Sequence, residues 1–257
     1  MKPAPATWRV ALIDSCADHP GALDRAAFEA GHGTVLRRRP CADPTGHGSR
    51  IAQVFAGGSP REVRPEGSLT RRFELLLGQV FVDNRPTSAA AVAAAVDWAL
   101  EHQAGLVHLS LGLAADRAVL RAAIERAVAA GCVMVASTPA RGPEVFPASY
   151  PGVIRGTGDA RCAPGELSHL QPWLFGAHPH PDVPLEEAST CMSGTARATG
   201  TLQAAGPIRA AGGASIGAAR VTRAILDEPP GCAQAVVAAL IARSTHIGPE
   251  RRTAERP

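Results

Sequence analysis

The sequence predicts an α/β domain built on a mostly parallel, doubly wound sheet, and three observations carry that prediction. Short apolar runs of strand length alternate with segments whose apolar residues recur at helical spacing, the pattern that feeds a parallel sheet. The chain has 257 residues, 46% of them apolar and 19% charged, enough to bury one large core and unlike a disordered chain. Polar residues fit for chemistry stand at the tips of several apolar runs, where such sheets place their sites.

The elements follow in order. Residues 1–7 are a tail, 8–248 a single domain, and 249–257 a charged, mobile tail. Residues 8–13 read as a buried strand ending in Asp14-Ser15-Cys16. Residues 23–31 read as a short helix, and a polar loop runs from there to Pro44, with Arg37-Arg38-Arg39 as a solvated part of it. Thr45-Gly46-His47-Gly48-Ser49 then opens an amphipathic helix that ends at Gly57-Gly58. After a Gly- and Pro-rich loop, residues 74–82 form a strand, and Thr87 or Ser88 caps a helix to about residue 102 with Val92, Val96 and Leu100 on one face. Residues 106–111 form a strand with Ser110-Leu111-Gly112 at its tip, and Asp116 starts a helix closed by Gly131. Residues 132–137 form the next strand, tipped by Thr138-Pro139-Ala140-Arg141-Gly142, and residues 153–157 one more. The stretch 160–212 is irregular, with short antiparallel segments, and its His178-Pro179-His180 reads as exposed loop rather than a metal pair. Residues 213–226 carry a serine at a helix start, Pro229-Pro230-Gly231 breaks the chain, and residues 233–244 form a closing helix.

Composition excludes several classes. A net charge of +3 with scattered arginines and few aromatic residues argues against nucleic acid. No Gly-x-Gly-x-x-Gly follows a strand, so a dinucleotide site is not expected. The N-terminal residues lack the apolar core of a secretion signal, and the Ala-rich run 89–100 is interrupted by Asp97 and too short to span a bilayer. The six cysteines are widely spaced, with no Cys-x-x-Cys, and read as reduced thiols in a cytoplasmic protein.

Three residues stand in settings that chemistry requires. Ser215 lies among small residues at a helix N-terminus, where unpaired N–H groups and the positive end of the dipole stabilise developing negative charge. A serine needs a base and the base an orienter. Of the nine histidines only His47 opens a helix between glycines, and Asp14 stands at a buried strand's tip. Taken alone, Asp14 also reads as a turn or cap residue. Cys16, two residues on, reads either as a thiol beside the site or as a small buried residue.

In this order these pieces resemble the subtilisin family of serine peptidases. The aspartate motif matches as Val10-Ala11-Leu12-Ile13-Asp14-Ser15 and the histidine motif as Gly46-His47-Gly48-Ser49. The substrate strand matches as His108-Leu109-Ser110-Leu111-Gly112 and the serine motif as Gly213-Ala214-Ser215-Ile216-Gly217-Ala218. The order Asp, His, Ser is that of subtilisin. Ser193-Gly194-Thr195-Ala196 resembles the serine motif too, but would put Ala196 at the nucleophile and is followed by Gly200 and Gly206-Pro207, poor for a long helix. Ser215 is therefore taken as the nucleophile.

The resemblance implies a three-layer fold and a catalytic triad of Asp14, His47 and Ser215. Substrate would lie beside Ser110, Leu111 and Gly112, with Ser137, Thr138 and Pro139 as the other wall. It implies no cofactor, and no metal is expected. In one respect the chain departs from the family. The asparagine that usually donates to the oxyanion is replaced by Ala140, leaving Arg141, Thr138 or the backbone N–H of Ser215 for that role. Residues 136–142, 150–154 and 158–162 further resemble the short peptidases found with quinohemoprotein amine dehydrogenase, which remove a leader peptide from its cross-linked small subunit. That resemblance implies a cytoplasmic processing enzyme acting on a precursor protein. The alternative is a peptide-binding module that has kept the groove and lost the chemistry. A general degradative protease fits less well with the missing secretion signal.

Overall fold

The structure is a computed structural model and describes residues 7–17, 22–31, 34–38, 43, 45–57, 73–82, 87–181 and 213–249. In chain order the elements are β1 (Trp8–Asp14), β2 (Asp24–Gly31), β3 (Thr34–Arg38), α1 (His47–Ala56), β4 (Phe73–Gln79), α2 (Ala89–Glu101), β5 (Leu106–Leu109), α3 (Ala118–Ala129), β6 (Val133–Ser137), β7 (Val153–Gly158), β8 (Leu167–Gln171), β9 (Leu174–Ala177), α4 (Ala214–Leu226), α5 (Ala233–Arg243) and β10 (His246–Ile247).

The strands form one ten-stranded sheet in the order β10-β8-β9-β7-β6-β5-β1-β4-β2-β3. Every pairing from β9 across to β2 is parallel, and the antiparallel pairings lie at the two edges, β2 with β3 and β8 with β9. The expected mostly parallel, doubly wound α/β sheet is present. The chain adds β4 on one side of β1 and later β5 on the other, so the order reverses between β1 and β5. That reversal is where such sheets open a crevice at their carboxyl edge.

Alternation along the strands divides the core in two. Val10 and Leu12 of β1, with Leu106, Val135 and Ile154, face α1, α4 and α5. Ala11 and Ile13, with Val107, Leu109 and Met134, face α2 and α3. Helices thus cover both faces, as a sheet buried on both sides requires. α2 forms as expected, its N-terminus capped by Ser88, whose hydroxyl accepts from the Ala91 amide at 3.1 Å.

Two expectations are corrected. Residues 24–31 are not a helix but strand β2, paired with β4 through Asp24↔Leu76 to Ala27↔Gln79. Its alanines favour helix locally, yet the ladder on both sides and the tilted packing of Phe28 against Trp98, 5.8 Å between ring centres, decide the state. The polar loop before Pro44 contains a further strand, so Arg37 and Arg38 belong to β3 rather than to a loop, and Arg39 lies outside the described residues. Smaller shifts follow from where ladders stop. β4 ends at Gln79, β5 at Leu109, and α3 begins at Ala118 after Arg117, while Asp116 accepts from the Tyr150 hydroxyl at 2.7 Å. The antiparallel segments expected after residue 160 are β8 and β9, and the two-residue β10, not anticipated, lies parallel to β8. Among the described residues, no helix is long and apolar enough to cross a membrane.

Candidate active site

Asp14 ends β1 and is buried, 1% exposed. Its Oδ1 accepts from the Ser15 amide at 2.6 Å, and His47 Nδ1 lies 2.8 Å from Oδ1 and 2.9 Å from Oδ2. A carboxylate only accepts, so Nδ1 carries the proton and Nε2 is left as the basic atom. His47 is the first residue of α1, and its side chain keeps 26% of its surface open to solvent.

The start of α1 is tied down by a residue the sequence reading passed over. The residue before the helix, Gly46, has φ 67° and offers no side-chain cap. Asp43 takes that role. Its Oδ1 accepts from the Gly46 amide at 3.0 Å and from the Ser15 hydroxyl at 2.8 Å, and its Oδ2 accepts from the Ser49 amide at 2.8 Å. Thr45 Oγ1 accepts from the His47 amide at 3.2 Å, and Ser15 Oγ from the Gly48 amide at 3.1 Å. Unpaired helix N–H groups are thereby satisfied by two hydroxyls and by a carboxylate that also places a negative charge at the positive end of the dipole. The available signal was an acidic residue a few positions ahead of a helix start.

The glycine after His47 has a steric reason. A Cβ on Gly48 would lie 1.7 Å from the Cys16 carbonyl oxygen, so the first turn of α1 can rest on β1's exit only as glycine. Cys16 itself adopts φ 87°, and its side chain is buried in the apolar layer beneath α1. The buried alternative holds for this thiol.

The balance at His47 favours the charged ring. Burial works against it, but the hydrogen bond and charge of Asp14, with Asp43 adding to them and Arg50 opposing, raise the pKa above 6.5.

Ser215 is the second residue of α4 and is half-buried. The helix start is seated on the tip of β7 by close backbone contacts. A Cβ on Gly217 would meet the Thr157 carbonyl oxygen at 2.1 Å, one on Gly156 the Ala218 Cα at 2.5 Å, and one on Gly158 the Gly213 carbonyl oxygen at 2.9 Å. The Gly213 amide donates to the Pro179 carbonyl at 2.8 Å. Gly217, two residues after Ser215, thus serves helix-on-strand packing. The Gly213–Pro179 bond also brings His178-Pro179-His180 beside the serine helix, where His178 is half-buried with Nδ1 2.9 Å from the Cys162 carbonyl oxygen, so only His180 is exposed.

α1 and α4 pack side by side and run the same way. Each starts at the carboxyl edge of the sheet, and a Cβ on Gly57, at the end of α1, would lie 3.6 Å from Arg223 in the last turn of α4. His47 and Ser215 therefore share one edge of the molecule. No hydrogen bond joins them among the described residues.

The remaining predicted residues lie along the same edge. β5 pairs only through Leu109, so Ser110, Leu111 and Gly112 project past the ladder, with Gly112 exposed. Ser137 ends β6 and is buried, and the Thr138 amide donates to the Gly156 carbonyl at 2.9 Å. Pro139, Ala140 and Arg141 are exposed. Ser193 and Ala196 of the competing motif lie outside the described residues.

No protein-family model matches the chain. Its sequence is similar to that of the minor extracellular protease Epr of Bacillus subtilis (strain 168), 23% identical over 150 residues, which is 57% of this chain. The match spans 22% of Epr's length. Among solved structures, the prenylagaramide maturation protease PagA is similar at a TM-score of 0.56 and 17% identity, covering 93% of this chain and 83% of PagA. The protease domain of PatA is similar at a TM-score of 0.46 and 22% identity, covering 63% of this chain and 62% of PatA's. The likeness to PagA is one of fold across nearly the whole chain, and the fold is the subtilisin-like α/β fold.

Proposed function

We propose that the chain is a serine endopeptidase that works through Asp14, His47 and Ser215. The observation that carries this reading is the pair of buried Asp14 and half-buried His47, 2.8 Å apart, at the sheet edge where α4 starts, with Ser215 its second residue. His47 Nε2 takes the proton as Ser215 Oγ bonds to the substrate's carbonyl carbon. Asp14 holds the ring in the required tautomer and stabilises its charged form. The oxyanion lies against backbone N–H groups at the start of α4. As the C–N bond breaks, His47 returns the proton to the leaving amine, and water then releases the acyl group by the same steps in reverse order. Substrate lies extended beside Ser110, Leu111 and Gly112 as an added strand.

The substrate we propose is a leader-bearing precursor, namely the cross-linked small subunit of quinohemoprotein amine dehydrogenase, cut once in the cytoplasm. Support comes from the motif resemblance and from the fold shared with a protease named for maturation. The described cysteines Cys132, Cys162 and Cys232 are free thiols, which suits a reducing compartment. A second reading, a peptide-binding module without chemistry, draws on Ala140, whose side chain cannot donate to an oxyanion.

The test compares wild type, Ser215→Ala and Ser193→Ala on that precursor, read by intact mass. Cleavage lost only in Ser215→Ala is the expected result. Cleavage that survives Ser215→Ala would refute the assignment of the nucleophile. A folded wild type that neither cleaves nor takes up a fluorophosphonate at Ser215 would favour the binding module.

A further inference from the structure

The row of the sheet that faces α1 and α4 one step below the candidate triad is Leu12, His108, Val135 and Ile154, placed side by side on β1, β5, β6 and β7. Three of these are apolar, as a buried interface demands. His108 is the exception, with no exposed surface. A buried imidazole is costly unless both ring nitrogens find partners. Both do. Nδ1 lies 2.8 Å from Thr222 Oγ1 on α4, and Nε2 lies 2.6 Å from Ser110 Oγ at the tip of β5. The edge of the ring is closed off by Phe55 of α1, 5.1 Å between ring centres at 81°.

The partners matter because of where they sit. Thr222 lies seven residues after Ser215, two helical turns along and within about 20° of the same face. Turning α4 about its axis would swing Ser215 and Thr222 together. Ser110 begins the segment against which a substrate strand would pair. A single side chain is therefore bonded to both of the parts that must keep a fixed relation during attack.

We propose that His108 is a positioning residue, clamping α4 through Thr222 to the tip of β5 through Ser110 and so fixing the direction in which Ser215 points. This rests on the triad reading above. Burial, with the nearby His47 adding to it, lowers the His108 pKa to about 3. The ring accordingly keeps one donor and one acceptor under ordinary conditions, as a clamp between two hydroxyls requires. His108 touches neither the reacting atoms nor the substrate.

The test measures the rate at which a fluorophosphonate labels Ser215, which reports nucleophile geometry without substrate binding. The full chain is compared as wild type, Thr222→Val, Thr222→Ser and His108→Gln, each with its urea stability. Thr222→Val keeps the shape and removes the hydroxyl. It is expected to fold and to label Ser215 about tenfold more slowly, since small misplacements have effects of that size. Thr222→Ser restores the hydroxyl and is expected to label within about twofold of wild type. A merely structural role would lower stability and leave the labelling rate of the folded protein unchanged. Folded Thr222→Val labelling at the wild-type rate overturns the clamp. Should Thr222→Val not fold, His108→Gln is read the same way, slower labelling supporting the clamp and wild-type labelling overturning it. A folded wild type that is not labelled at Ser215 overturns the triad reading, and the clamp with it.

Discussion

At the tip of β1, both oxygens of Asp14 lie within hydrogen-bond reach of His47, and Asp43, Ser15 and Thr45 hold the helix start that carries the ring. At the tip of β6, Ser137 is buried but the chain beyond Thr138 runs exposed through Pro139, Ala140 and Arg141, with no side-chain amide where the resemblance would place one. In the proposed triad the base end is over-determined, and the oxyanion end would be left to backbone. Proton transfer depends on a fixed tautomer and a short approach, so geometry must be built in around the histidine. Charge on the oxyanion can be met by backbone N–H groups at the seated start of α4 without any side chain, at a lower rate. The proposed single cut in one precursor could proceed under that limit.

The largest expected effect breaks the well-built end. Asp14→Asn keeps the shape but reverses the hydrogen-bonding sense at one atom, which lets His47 adopt the wrong tautomer. Turnover of the leader-bearing precursor is expected to fall by about 10⁴-fold with little change in KM. A loss under tenfold would show that His47 is not held by this carboxylate during the reaction. Next comes an attempt to improve the other end. Ala140→Asn supplies the missing amide, and turnover is expected to rise, by as much as about 100-fold if the new donor reaches the oxyanion. No rise, in a folded variant, would mean that the exposed loop does not approach the oxyanion.

The third prediction is steric. Gly48→Ala places a methyl group where the Cys16 carbonyl oxygen already lies, 1.7 Å from the new Cβ. Either α1 lifts away from β1 or the exit of β1 shifts, and overpacking of this kind costs about 3 kcal/mol or more. Urea unfolding should show that loss together with slower labelling of Ser215, because His47 rides on the displaced turn. Gly142→Ala in the exposed loop is the contrast. Its φ of 117° makes the substitution strained, but nothing lies within 4 Å of the added atom, so the variant should lose about 1 kcal/mol and no more.

The same contrast explains what the sequence made legible. Asp14 stands at a strand tip and His47 and Ser215 at helix starts, and those local signs single them out as candidates. The sheet's far edge was not legible, because the state of residues 24–31 is decided by pairing with β4 and β3 against a local preference for helix. The link between His108 and Thr222 joins residues 114 apart in the chain, and only folding brings them together. Asp43 could have been found from its place ahead of a helix start, but Pro44 and the glycine at the cap position disguised it as loop.

Asp43→Asn is the smallest change and the one that separates its two roles. As a cap, the single amide oxygen keeps one side of the contact, while the Gly46 or the Ser49 amide, which bond to different oxygens of the carboxylate, loses its acceptor, so the loss of stability should be about 1 kcal/mol. As a charge, it is gone. His47 is raised above 6.5 in part by the negative charge of Asp43, and removing that charge brings the ring back toward its ordinary value. Catalysis needs the neutral ring in the free enzyme, so kcat/KM climbs as pH rises through the folded pKa of His47, and the acid limb of the wild-type profile should lie above pH 6.5. In Asp43→Asn that limb should move to lower pH, with the plateau at high pH nearly unchanged. The stability profile has the opposite sense. A raised histidine pKa contributes stability that is complete below 6.5 and disappears as pH rises through the folded value. The variant should therefore be most destabilised relative to wild type near pH 6 and least near pH 9. An acid limb that does not move, with the cap loss present, would assign Asp43 to holding α1 and leave the tuning of His47 to Asp14 alone.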